Sequence, residues 1–305
     1  MNKIRINAKS TPEYGEFLPK TNNGFHNIEI QLIHKYLKEQ EYEDTKKGIE
    51  NGLIDISVVH TPLVKEDSME GAEEIPLMDL VIPKVYNMFD DTCKYAEFIA
   101  ELENKRIKVV VHTINSKKDL IETKMISEKV GPLVKNTLDK YKDVDLVIEN
   151  STSTGERRFK TVFDMDDVSY AVKELNDFLG EKRAYPLMDT CHLMMNFEAW
   201  KRFSYEDLLN FDESFKKALE YGKLGLIHLN NMWDNGVDKD HGRPFDMNHT
   251  GDLEKLDKIM KAYEKYANCE ITIEVAEDDY YTAPNNLIKT KESLEKLGYE
   301  LDCGK

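Results

Sequence analysis

The chain has 305 residues, 40% of them hydrophobic, and a formal net charge of −16. That is enough apolar material for a large core, and the acidity repels polyanions except where a local basic patch overrides it. The four cysteines show no CxxC spacing, no apolar run reaches the length of a membrane span, and the start Met-Asn-Lys-Ile-Arg-Ile lacks the apolar stretch of a signal peptide. These features predict a soluble cytoplasmic protein with free thiols and no membrane partner.

Short β-branched runs alternate with long charged segments of helical spacing. The runs predict strands at Lys3–Ala8, Asn27–Leu32, Ile54–His60, Ile107–His112, Asp145–Glu149, Tyr185–Asp189, Gly225–Leu229 and Glu270–Val275. Helices are predicted over residues 33–50, 86–104, 116–142, 165–180, 204–222, 252–267 and 284–297. Between the first two strands, Ser10–Gly24 carries two Pro and two Gly, which predicts a short or irregular element. No linker or low-complexity tract interrupts the pattern, so residues 1–305 read as one domain. Eight βα units imply a parallel sheet closed into a single (β/α)8 TIM barrel. An open doubly wound sheet is the alternative. It is weakened because the first βα turn lacks a Gly-rich phosphate-binding fingerprint.

In such a barrel the C-terminal strand ends form one rim, where chemistry is built. Here strand three ends V-V-H-T-P with His60, and strand four V-V-V-H-T with His112. Strand five ends L-V-I-E-N with Glu149, and strand six L-M-D-T-C-H with Asp189 and His192. Strand seven gives L-I-H-L-N-N with His228, and strand eight I-T-I-E-V with Glu274. The loop after strand seven adds V-D-K-D-H-G-R, with Asp238, Asp240, His241 and Arg243. Five of the chain's eight histidines fall in this set. Imidazoles and carboxylates converging on one rim suit a divalent ion, and the lack of thiolates points to manganese, zinc, cobalt or iron rather than a thiolate site. Each residue also has a structural explanation: a lone strand-end His or Glu can be a paired core residue, Cys191 a small filler, Met194-Met195 packing, and Glu277-Asp278-Asp279 a solvated loop.

The order E-N, D-T-C-H, H-L-N, D-x-x-H and a final Glu resembles the xylose isomerase-like TIM barrels, a group that includes sugar phosphate isomerases and epimerases and endonuclease IV (AP endonuclease family 2). The resemblance runs from about Asn27 to Glu274, and Gly24–Ile30 (G-F-H-N-I-E-I) is similar to the second-strand entry of the isomerase branch. It implies that Glu149, Asp189, His228 and Glu274 bind one divalent ion, with up to three ions if the other histidines also bind. It implies a substrate contact or an additional ion for His192. It implies additional metal or substrate contacts for His60 and His112, and for Asp238, Asp240 and His241. The nuclease pair is normally Asp-x-His, and here the text is displaced to Asp238-Lys239-Asp240-His241.

Two activities follow from this resemblance. In a sugar, sugar phosphate or polyol isomerase or epimerase, Glu149 and Glu274 would move a proton next to a metal-polarised carbonyl, and His192 and Arg243 would hold substrate oxygens. In an AP endonuclease-type phosphodiesterase, His60 and His112 would complete a multinuclear cluster. The first strand lacks the His and Gly-rich turn of that nuclease group, and the clearest basic pairs are Arg157-Arg158 and Lys117-Lys118. A sugar-like small molecule is therefore the expected partner, with nucleic acid only under the alternative; self-association is left open. The segment Asp234–Thr250 has the length of a lid over the mouth.

Overall fold

The structure is a computed structural model that describes residues 3–33, 37–62, 75, 77–113, 124–151, 165–200, 211–232 and 241–305, without the side chains of 196–200. In chain order the elements are β1 (Ile4–Ser10), α1 (Tyr14–Asn22), β2 (Asn27–Gln31), α2 (Glu39–Glu50), β3 (Asp55–His60) and α3 (Pro83–Glu103). Then follow β4 (Ile107–Thr113), α4 (Gly131–Lys140), β5 (Val144–Asn150), α5 (Met165–Leu179), β6 (Ala184–Asp189), α6 (Thr190–Trp200) and α7 (Phe211–Ala218). The chain ends with β7 (Leu226–Leu229), β8 (Asn231–Met232), β9 (His241–Arg243), α8 (Asp252–Tyr266), β10 (Glu270–Ile273), α9 (Asn285–Lys296) and β11 (Leu301–Asp302).

All eight predicted strands are present. They pair in parallel in the order β10-β7-β6-β5-β4-β3-β2-β1, and β10 pairs with β1 to close the barrel. β8 and β9 form a separate antiparallel hairpin above β7, and β11 extends the foot of β1. The segment before β2 does form a helix, α1, despite Pro19 inside it. Helix α6 was not expected: it begins directly after β6, within the D-T-C-H stretch. Of the predicted span 116–142, α4 holds the end, entered through a π turn at Ile126–Val130.

Period-two alternation stacks the inward side chains of the barrel in layers. Val58, Val110, Val147, Leu187 and Leu226 form one apolar cluster inside the barrel, distinct from the larger core between strands and helices. Two residues further along each strand stand His60, His112, Glu149, Asp189 and His228, all buried. The chemistry thus sits on an apolar floor. Registry sets the neighbours within the upper layer: His112 opposes Glu149 and Asp189 opposes His228.

Candidate metal centre

The upper layer converges on Glu149 and His228. Glu149 Oε1 lies 3.2 Å from His228 Nδ1, and Glu274 Oε2 lies 2.7 Å from the same nitrogen. Glu149, Asp189, His228 and Glu274 each offer a ligand atom, all within 4.8 Å of one another. Three further groups overlap this one: His60, Glu149 and His228; His112, Glu149 and His192; and Asp189, His192 and His241.

The residues around these ligands fix their orientation. His228 Nε2 faces Glu29 Oε2 at 3.1 Å, and Thr272 Oγ1 donates to the same oxygen at 2.7 Å. A carboxylate only accepts, so His228 carries a proton on Nε2, and with a cation in place of the proton on Nδ1 the neutral ring would aim that lone pair between Glu149 and Glu274. Asp189 is held by Asn150 and Asn230: Asn150 Oδ1 accepts from the Asp189 backbone N–H at 2.7 Å, and Asn230 Nδ2 donates to Asp189 Oδ2 at 3.0 Å. Asp189 Oδ1 accepts the backbone N–H of His192 at 2.7 Å, so Asp189 is the N-cap of α6. The i, i+3 spacing of Asp and His is therefore a helix start that places both side chains at the rim. His192 Nδ1 donates to Asn150 O at 2.7 Å, which leaves Nε2 as the lone-pair nitrogen of the neutral ring.

Two residues that sequence reasoning missed complete the centre. Lys9, at the end of β1, binds Glu274 Oε1 and lies 3.6 Å from Glu29 Oε1. Glu29, in β2, is fully buried. The available signal was a charged residue within a strand that is buried along its whole length.

The donor set fits a divalent cation. Glu29, Glu149, Asp189 and Glu274 bring four carboxylates against one ammonium, Lys9, leaving three negative charges in a largely buried space. Glu149 Oε2 and Glu274 Oε2 are buried and face only imidazole nitrogens, His112 Nε2 at 3.1 Å and His228 Nδ1 at 2.7 Å. Buried charge must be compensated, by protons or by metal. Burial opposes protonation of His228, yet the carboxylates of Glu29, Glu149 and Glu274 outweigh it and hold the ring well above its ordinary pKa. The same field attracts a divalent ion. His60 differs: burial, aided by the Lys9 charge, lowers its pKa.

The remaining predicted residues divide. His241 reaches the centre, with Nε2 3.5 Å from Asp189 Oδ2. Arg243 Nη2 donates to Asp252 Oδ2 at 2.8 Å, tying β9 to the start of α8. Asp238, Asp240, the basic pairs Arg157-Arg158 and Lys117-Lys118, and the whole stretch 233–240 between β8 and β9, which includes the first part of the predicted lid, lie outside the described residues. Cys191 and Met194 are buried packing residues, as expected. Glu277, read as part of a solvated run, instead accepts the Asn286 and Leu287 backbone N–H groups and caps α9. No helix among the described residues is long and apolar enough to cross a membrane.

No family model and no curated protein matches the sequence. Solved structures do match over almost the whole chain. A D-tagatose 3-epimerase-like protein shares 14% identity over 96% of each chain, with a TM-score of 0.62. A xylose isomerase domain protein from Planctomyces limnophilus shares 10% over 97% of this chain and 98% of its own, with a TM-score of 0.59. D-psicose 3-epimerase from Clostridium cellulolyticum H10, solved with D-tagatose, shares 11% over 98% of this chain and 100% of its own, with a TM-score of 0.54. The chain carries the fold of the xylose isomerase-like TIM barrels.

Proposed function

We propose that the protein is a divalent-metal-dependent isomerase or epimerase acting on a small sugar-like substrate. The observation that carries this reading is the pair Glu149 and Glu274. They reach His228 from β5 and from just beyond β10, and each turns a buried oxygen toward a ring nitrogen, Glu149 Oε2 to His112 Nε2 at 3.1 Å and Glu274 Oε2 to His228 Nδ1 at 2.7 Å. An ion held by Glu149, Asp189, His228 and Glu274 would polarise a substrate carbonyl and acidify the neighbouring C–H. Two carboxylates on different strands can then serve as base and acid, one removing the proton and the other returning it. Asn150 and Asn230 keep Asp189 fixed, and the apolar floor closes the site from below. With one divalent ion the cluster still carries one net negative charge, which suits a neutral polyol better than a polyanion. Two structural neighbours, a D-psicose 3-epimerase and a D-tagatose 3-epimerase-like protein, agree with this chemistry.

The test is deuterium exchange. The protein, loaded with manganese or cobalt, is incubated in D2O with a panel of ketoses and their phosphates. Incorporation at the carbon beside the carbonyl, lost in Glu274→Gln, supports the reading. Absence of incorporation and of turnover across the panel rejects it.

One observation favours a second reading, a metal-dependent phosphodiesterase. His60 Nδ1 donates to Thr61 O at 2.8 Å, so the neutral ring turns its Nε2 lone pair toward Glu149 Oε2, 3.5 Å away. His112 Nε2 lies 3.1 Å from the same oxygen. Lone pairs gathered on a carboxylate oxygen attract a second cation, and ions sharing Glu149 would suit in-line displacement at phosphorus. Cleavage of an abasic-site duplex that disappears in His112→Ala, with no sugar turned over, would favour it.

A further inference from the structure

We infer that Lys9 and Glu29 are positioning residues of the centre: Glu29 fixes which nitrogen His228 presents, and Lys9 fixes which oxygen Glu274 presents. This rests on the metal-centre part of the reading above. The pair is linked, since Lys9 Nζ binds Glu274 Oε1 and also lies 3.6 Å from Glu29 Oε1. Glu29 Oε2 is aimed at His228 Nε2, and the Thr272 hydroxyl holds it from the other side. An imidazole can flip by half a turn about its Cβ–Cγ bond, which exchanges the sides on which its nitrogens lie. A buried carboxylate on Nε2 penalises every orientation except the one with Nδ1 toward Glu149 and Glu274.

Lys9 acts on the other side. A carboxylate ligand can bind an ion through one oxygen or both. With an ammonium on Glu274 Oε1, only Oε2 is offered toward His228 Nδ1. Lys9 also contributes the positive charge that limits the cluster to three net negative charges. The two residues occupy β1 and β2, whereas the four ligands come from β5, β6, β7 and the end of β10. One half of the barrel thus orients what the other half supplies.

The test uses the full chain and two readouts that need no substrate: manganese affinity, and the coordination number of bound zinc by X-ray absorption. Glu29→Gln is expected to weaken manganese binding about 10- to 100-fold. Lys9→Met is expected to free Glu274 Oε1 and raise the zinc coordination number by about one oxygen. Thr272→Val, which removes only the hydroxyl beside Glu29, is expected to weaken binding by a smaller factor and serves if Glu29→Gln fails to fold. Wild-type protein that binds no divalent ion would reject the metal reading itself. Wild-type binding with unchanged affinity in Glu29→Gln or, where that variant does not fold, in Thr272→Val would overturn the role of Glu29. An unchanged coordination number in Lys9→Met would overturn the role of Lys9.

Discussion

Replacing Asp189 by Asn tests the centre through stability, without knowledge of the substrate. Asp189 is fully buried; its Oδ1 accepts from His192 N–H and its Oδ2 from Asn230 Nδ2. An amide in its place must set its NH2 against one of these donors, which costs about 1–3 kcal/mol for a buried unsatisfied group. Against that, one of the four carboxylates disappears from a cluster with excess negative charge, so the metal-free protein should change only modestly. The metal-dependent part should change far more. At an ion concentration of about 1,000 Kd, binding stabilises the wild type by about 4 kcal/mol, and a 100-fold weaker site leaves about 1.4 kcal/mol. A chain of this length loses about 0.6 kcal/mol of stability per degree near its melting point. The manganese-induced shift in Tm should therefore fall from about 6 °C to about 2 °C. The assay is thermal unfolding in EDTA and in manganese at one fixed concentration. An undiminished manganese shift in Asp189→Asn would refute the ligand assignment.

In EDTA, His241 should give the protein a pH dependence. Burial lowers its pKa, but Asp189 and Glu274 overcome this and raise it to about 9. A raised folded-state pKa gives stability that is fully present below about 6.5 and lost as pH rises through about 9. Urea unfolding should show that loss, His241→Gln should flatten it, and an equally steep profile in the variant would remove the assignment. His112→Ala should lower the number of ions bound per chain if a second ion shares Glu149, and leave it unchanged if one ion occupies the four-ligand group; metal analysis of the dialysed protein distinguishes these. Gly225→Ala should destabilise the barrel by about 1–3 kcal/mol through overpacking. A Cβ there would lie 2.7 Å from Tyr185 Cβ and 2.9 Å from Val147 Cγ1. Equal urea midpoints would show that the strands can shift to admit a methyl group.

The eight strands were legible because a parallel sheet buried on both faces demands near-continuous β-branched runs, and the runs end where the polar rim begins. The site was legible for the same reason: His60, His112, Glu149, Asp189 and His228 each stand two residues beyond an apolar floor residue. Helix α1 was hidden by Pro19, since its tolerance within a nine-residue helix is decided by packing rather than propensity. Lys9 was hidden by a strand end placed two residues early, at Ala8 rather than Ser10. Glu29 was hidden because alternation in N-I-E-I-Q reads as an outward polar position, whereas in a closed barrel the side opposite the helices is the interior.

Arg243 has a structural partner that the sequence did not reveal. An arginine after a strand end reads as an oxyanion hand, and here its Nη2 donates to Asp252, which also accepts from Asn231 Nδ2 and the Asp246 backbone N–H. A cation beside that buried carboxylate balances its charge, so one amino group of the guanidinium serves the scaffold. The D-T-C-H stretch shows why a spacing can carry more than either residue. The Asp carboxylate must accept the N–H three residues on to start α6, and that one bond brings His192 to the rim beside it. Capping and the proposed ligation thus fall on the same side chain: Oδ1 serves the helix, while Oδ2 faces Asn230 and His241. Asn at position 189 could still cap a helix through its Oδ1, but it could not supply the negative charge. The variant therefore separates the two roles that the sequence places on one residue.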